Sequence, residues 1–240
     1  MKMSKNFNPK ISVCIPSYEA NGRGVEFIDK NIQSILSQTY KNIEIIVSDH
    51  SKDDSIENYI KELKLDNIIY LRNTEYIGWP AHNTNNAIKN STGDYIKLMN
   101  LDDFMVGNDC IKLMVDLLDE GNQWVVSGCI HYDYGNGNWI NPIIPKIDGD
   151  GKHLIKGINF VGCPSVGLIP RNEYFDTEVL YMIDCELWYR MFITYGYPGV
   201  LKDYKIAVGV GDHTLTSQWE SKYNELLYKD IEYCNKKFLI

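Results

Sequence analysis

Four short β-rich runs punctuate the first hundred residues, at 11–15 (ISVCI), 43–47 (IEIIV), 68–71 and 95–99. Between them, apolar residues recur at helical spacing: Val25, Ile28, Ile32, Ile35 and Leu36, then Ile56, Tyr59, Ile60 and Leu63, with a third helix expected over 82–89. Pro16 is expected to end the first strand. Ser51-Lys52-Asp53-Asp54 reads as a capping box, with Ser51 as N-cap and Asp54 reaching back. Strand–helix–strand repeats imply right-handed crossovers and a mainly parallel sheet, hence an α/β fold. Such sheets bind ligands beyond the carboxyl ends of their strands, where the strand order reverses. Pro16-Ser17-Tyr18-Glu19, Asp49-His50 and Asp102-Asp103 all follow strand ends, so polar groups are expected to converge on one rim.

The second half is less regular. Helices are expected over 111–118, over 186–192 opened by Asp184, and over 216–235; strands over 124–129 and 204–210. Gly135-Asn136-Gly137 is a plausible hairpin turn within 131–140. Residues 160–169 mix apolar and small side chains, and no linker marks a domain boundary. With 44% hydrophobic and 23% charged residues a packed core is expected. The net charge of −8 argues against broad binding to nucleic acid or anionic lipid. The six cysteines (14, 110, 129, 163, 185, 234) form no C-x-x-C pair and read as reduced, buried thiols of a cytosolic protein. The first ten residues lack the apolar stretch of a signal peptide. No apolar run approaches the ~18–20 residues of a membrane span. A soluble, cytoplasmic protein is expected, with peripheral association at the inner face of a membrane left open.

Adjacent acids at a strand end are common as a solvated turn or a helix N-terminus. They also suit a hard cation, which takes one or two carboxylates from protein and the rest of its oxygens from substrate phosphates and water. Several stretches taken together resemble the family 2 glycosyltransferases of the GT-A fold. "VCIPSYEANGRGVEFIDKNIQSILSQTYKNIEIIVSDHSKDDS" is similar to that family's opening, keeping Tyr40, Asn42, Glu44, Ile45, Ile46, Val47, Asp49 and Asp54. "STGDYIKLMNLDD" resembles its "A-x-G-x-Y-I-x-x-L-D-x-D-D", and "YMIDCELWYRM" its "x-E-D-x-D-L-W-x-R". The resemblance spans about residues 10–215. It departs at Glu19 for the usual Asn, at His50 for a second Asp, at Ser51-Lys52 for Gly-Ser, and at Asn100 for the first acid of the longer motif.

The resemblance implies one GT-A domain over 1–240, with a Rossmann-like nucleotide-sugar half at 10–104 and an acceptor half at 105–240. It implies an inverting, metal-dependent transfer of one sugar from a nucleotide-diphosphate sugar to a glycan or lipid-linked acceptor, in surface polysaccharide synthesis. Pro16, Ser17, Tyr18, Glu19 and Asn83 are the implied nucleotide contacts, Asp49 bonds the base, and Asp102 meets the ribose or the metal. Asn83 and Asn85 could equally face the nucleotide or cap or solvate the start of their helix. Asp103, Asp102 and His213 are implied to hold Mn²⁺ or Mg²⁺. Asp184 is the implied general base, with Glu186 as its competitor and a simple helix N-cap as the alternative role. Gly162, Glu186 and Trp188 fall on the acceptor side, although Trp188 also suits a core. UDP is favoured by family habit and by Asp49. A homodimer is left open. A transfer-inactive nucleotide-diphosphate-binding module and a sugar nucleotidyltransferase remain the alternatives.

Overall fold

In the computed structural model, residues 7–214, 217 and 220–239 are described. The apolar runs become β1 (Ile11–Ser17), β2 (Ile43–Asp49), β3 (Ile68–Arg72) and β4 (Tyr95–Leu98), paired in parallel in the order β3-β2-β1-β4. Ile11, Val13, Ile15, Ile45, Ile46 and Val47 are fully buried, as befits strands covered on both faces. β1 runs through Pro16 rather than stopping there. Its pairing with β4 ends at Cys14 opposite Leu98, so the missing N–H of Pro16 lies past that ladder. β2 and β4 flank β1, so the strand order reverses between β1 and β4, the place where such sheets take ligands.

Helices α1 (Gly24–Leu36), α2 (Ser55–Leu63) and α3 (Pro80–Lys89) connect these strands. The expected capping box is not formed. α2 begins at Ser55, and Ser51 instead donates its N–H and hydroxyl to the Asp49 carboxylate at 2.9 and 2.6 Å. A carboxylate two residues back is the stronger acceptor, and it turns Ser51 away from the helix.

Past β4 the sheet becomes mixed. β8 (Gly167–Pro170) is antiparallel to β4 and to β6 (Val125–Asp133), which lies parallel to β9 (Gly199–Val210). β5 (Phe104–Met105) pairs antiparallel with the far edge of β9, and β7 (Trp139–Ile143) forms the anticipated hairpin with β6. α4 (Cys110–Asp119) and α5 (Ile183–Tyr195) pack on this half. α6 (Tyr223–Lys237) closes the chain, and its expected start near residue 216 lies outside the described residues. Trp124 and Trp188, both fully buried, stack at 5.8 Å in the core between α5 and β6.

Candidate active site

β5 follows directly on Asp103 and pairs Phe104 with Ala207 of β9. That register carries the chain beyond Val210 back over the end of β4. There His213 Nε2 meets Asp102 Oδ2 at 2.9 Å. The approach is close: a Cβ on Gly209 would lie 2.6 Å from the Asp102 carbonyl. Tyr18, just past β1, donates its hydroxyl to the His213 carbonyl at 2.8 Å, and Tyr134 donates to the Asp102 carbonyl at 3.0 Å. The Phe27 ring lies 4.5 Å from that of His213. Residues from β1, β4, β6 and the end of β9 therefore meet at the switch point.

The two adjacent acids face opposite ways. Asp102 keeps 18% of its side chain exposed beside His213. Asp103 is buried, with Oδ1 accepting the Gly209 N–H at 2.8 Å and Oδ2 accepting the Ser165 hydroxyl. Burial, with Asp102 next to it, pushes the Asp103 carboxyl up to about 7. Its oxygens being engaged inside the protein, Asp103 does not suit the ligand role expected of it, and Asp102 with His213 forms the available pair. Ser165 also accepts the Asn100 N–H through Oγ at 2.7 Å, and its carbonyl accepts the fully buried Lys97 ammonium. Burial draws the Lys97 amine down to about 8. Nothing in the local sequence marked Lys97 or Ser165 as partners of this strand end.

A nitrogen and an oxygen donor 2.9 Å apart match two neighbouring corners of an octahedron with bonds of about 2.1 Å, whose edge is about 3.0 Å. Among the described residues no group of three or more His, Cys, Asp or Glu is placed to hold a metal. The pair therefore fits a hard cation that draws its other ligands from phosphate and water.

The remaining expected nucleotide contacts divide. Pro16, Tyr18 and Glu19 stay partly exposed at the rim, Glu19 accepting the Lys52 N–H at 3.3 Å. Ser17 is buried and bonds the Ser48 carbonyl. Asp49 is 0% exposed, and its oxygens accept from Ser51 twice, from Ser17 and from the Tyr70 hydroxyl at 2.7 Å. Three of these bonds fall on Oδ1, and Oδ2 holds only that of Tyr70. Asn83 is likewise inward, its amide bonding Ser48, Ser17 and Asn73 and tying α3 to β1 and β2. Asn85 holds the backbone N–H and carbonyl of Phe175, both at 2.8 Å.

Asp184 is the second residue of α5, so its carboxylate is not an N-cap. Its Oδ2 accepts from Asn159 Nδ2 and its Oδ1 from the Cys185 N–H, both at 2.8 Å. Burial pushes its carboxyl above the usual range, against those two hydrogen bonds. Asn159 also donates to the Gly162 carbonyl, which keeps Gly162 beside the base candidate. The entry to α5 is gripped from α6. The buried Asp230 carboxylate accepts the N–H groups of Leu180, Tyr181 and Met182, at 2.6 Å for Tyr181 and 2.8 Å for Met182.

Two acceptor-side expectations are corrected. Glu186 is fully buried and ion-paired with Arg190 at 2.9 Å and Lys237 at 2.8 Å, which also removes it as a rival base. Trp188 is core, its indole N–H on the Gly162 carbonyl at 2.8 Å and its ring against Trp124. Trp188→Ala is expected to cost about 3–5 kcal/mol in denaturant unfolding. A cost near zero would return Trp188 to the surface.

A sequence model of the family described as Glycosyl transferase family 2 matches residues 12–177, more than half of the chain. The chain belongs to that family. Relatives of this family 2 chain include a GalNAc(5)-diNAcBac-PP-undecaprenol beta-1,3-glucosyltransferase of Campylobacter jejuni, 28% identical over 53% of this chain and 40% of the relative. Another is the UDP-Glc:alpha-D-GlcNAc-diphosphoundecaprenol beta-1,3-glucosyltransferase WfgD of Escherichia coli, 30% identical over 55% of this chain and 47% of the relative. The matched part thus spans less than half the length of either relative. Among solved structures, S. aureus TarS 1-349 in complex with UDP superposes with a TM-score of 0.65 at 17% identity, over 92% of this chain and 65% of that one. A mannosyltransferase of Pyrobaculum calidifontis in complex with GDP-Man and Mn²⁺ gives a TM-score of 0.64 at 15% identity, over 96% and 65%. At such identities the likeness shows the fold, which is GT-A.

Proposed function

We propose that this glycosyltransferase moves one sugar, with inversion, from a UDP-sugar to a hydroxyl of a lipid-linked glycan during surface polysaccharide synthesis, on the cytoplasmic side of the membrane. The relatives' named reactions support the substrate classes, and the observation that carries the reading is the Asp102–His213 pair at the β1/β4 switch point. Among the described residues no helix is long and apolar enough to cross a membrane, so the acceptor lipid would be met from outside the bilayer.

Residues 10–104 with His213 would hold the nucleotide diphosphate, and the remainder would present the base and the acceptor. Asp102 and His213 would hold Mn²⁺ or Mg²⁺. A bound divalent ion supplies Lewis-acid neutralisation of the departing diphosphate. Asp184 takes the proton of the acceptor hydroxyl as its oxygen attacks C1 from the face opposite that leaving group, so the C1–O bond to phosphate breaks and the configuration inverts. Asn159 and the Cys185 N–H fix that carboxylate while leaving each oxygen a further lone pair.

Thermal unfolding with UDP, GDP, CDP and dTDP, each with Mn²⁺ or EDTA, tests this. A ligand at a hundred times its Kd stabilises by roughly 2.7 kcal/mol. A shift with UDP that needs the metal is expected. No shift with any of the four would remove the nucleotide-sugar reading.

A further inference from the structure

Two stretches without a charged side chain, 134–145 and 157–170, meet on the acceptor half. Lys146, just past the first, donates its N–H to the carbonyl of Phe160 in the second at 3.0 Å. Together they form an apolar ledge. Trp139 is 47% exposed, Ile140 40%, Ile158 47% and Phe160 42%. Ile158 and Phe160 flank Asn159, whose amide holds the Asp184 carboxylate at 2.8 Å. The exposed apolar surface therefore starts at the support of the base candidate, where packing of the core gives no reason for it.

The shape and the charge of the ledge select its occupant. Trp139 and Ile140 are consecutive in β7, so their side chains leave opposite faces of the hairpin. A rigid partner laid on one face would cover one of them, whereas a fluid medium covers both. β7 is paired only with β6. Its free edge is interrupted by Asn141 at φ +50° and by Pro142, which has no N–H, so a second copy gains no regular strand pairing there. The margin of the ledge is basic. Lys146 Nζ lies 5.1 Å from the centre of the Phe160 ring. Lys30 Nζ lies 3.6 Å from that of Tyr132, whose ring packs edge-on against Trp139 at 5.2 Å. The Lys146–Asp148 pair is 60% exposed at both ends and therefore weak. Residues 134–160 carry three Lys against two Asp, in a chain of net charge −8. Ammonium groups over aromatic rings, beside exposed aliphatic side chains, match the anchoring pattern of a membrane interface.

We propose that the ledge of Trp139, Ile140, Ile158 and Phe160 docks on a phospholipid bilayer with anionic headgroups, turning the Asp184 side of the molecule toward the membrane. The inference rests on the lipid-linked acceptor proposed above and names the surface that meets it. Such an acceptor is confined to the plane of the bilayer, so an enzyme held on that plane meets it at a raised effective concentration. The apolar side chains supply affinity that persists in salt, and Lys146 and Lys30 supply a part that salt screens.

The test is flotation with vesicles of phosphatidylethanolamine and phosphatidylglycerol, and with vesicles of phosphatidylcholine alone. The wild type is expected to float with the first and more weakly with the second. Ile140→Asp combined with Ile158→Asp should lower the partition coefficient at least about tenfold. Leu65→Asp combined with Ile69→Asp adds the same charge at two exposed aliphatic positions off the ledge and should leave it unchanged. Wild-type partition in the ledge variant overturns the inference, as does an equal loss in the control pair or failure of the wild type to float with either vesicle. A wild-type dimer that the ledge variant dissociates, without vesicle binding, gives the ledge to a second copy and overturns it too. If the Asp variant does not fold, Ile140→Ser with Ile158→Ser should still cost at least about threefold, and no loss there overturns the inference equally. The metal-dependent shift with UDP, read on the same proteins, should persist in every folded variant. Flotation of the wild type with no nucleotide shift removes the nucleotide-sugar reading and leaves the docking surface standing.

Discussion

Asp184→Asn is expected to lower the rate of sugar transfer by about 10²–10⁴ while leaving UDP affinity with Mn²⁺ unchanged. The substitution keeps the volume of the side chain but removes the proton acceptor. It places an amide N–H₂ against one of the donors that Asp184 now accepts from, Asn159 Nδ2 or the Cys185 N–H, for a loss of about 1 kcal/mol. Something is returned in exchange. Burial raises the Asp184 carboxyl above its unfolded value, so its effect on stability is most favourable at pH below the ordinary carboxylate range. That favourable contribution is lost as pH climbs through the raised value and the ionised form must be held in a partly dry site. Apo stability of Asp184→Asn at neutral pH should therefore stay close to that of the wild type. Transfer by the wild type should fall as pH drops through the raised value, since only the ionised form takes a proton. Single-turnover kinetics read together with UDP calorimetry separate the two effects. Full turnover in the variant would remove Asp184 as the base.

Asp102→Ala and Asp103→Ala should fail in different ways. Asp102→Ala removes the carboxylate facing His213, and the Mn²⁺-dependent part of UDP stabilisation should disappear, roughly 2.7 kcal/mol at a hundred times the wild-type Kd. His213→Ala should weaken the same signal. Asp103→Ala instead strands the Gly209 N–H and the Ser165 hydroxyl, at about 1–3 kcal/mol each, and should lower the apo melting temperature. At a temperature where that variant is folded, its UDP binding should still respond to Mn²⁺. If Asp103→Ala stays as stable as the wild type and loses the metal response, the roles of the two acids are reversed.

The contrast between these neighbours shows what a chain of letters conveys and what it withholds. Alternating β-rich and helical-period segments were enough to lay out β1 to β4 along the chain and to set Tyr18 and Asp102 near one rim, whereas His213 was reached only through the family resemblance. Helical periodicity placed Asp184 at the start of α5, because that pattern is written locally. The direction a side chain takes at a strand end depends on partners far away. Asp103 turns inward because Ser165 and Gly209 receive it, and those residues come from β8's approach and from β9. Asp49 turns inward because Ser17, Ser51 and Tyr70 all donate to it. Glu186 and Trp188 are polar or amphipathic letters that suit a sugar site, yet Lys237 and Trp124 claim them. None of these pairings has a local signature.

The grip of Asp230 on the entry to α5 also bears on the order in which the protein comes off the ribosome. The strand ends around β1 and β2 emerge early, and the turn that aims Asp184 is fastened only when α6 has been made. A chain cut within α6 by a protease would keep its central strands and lose the fastening. Such a product would be expected to retain nucleotide while its proposed base swings free, so α6 holds the two halves of the reaction together.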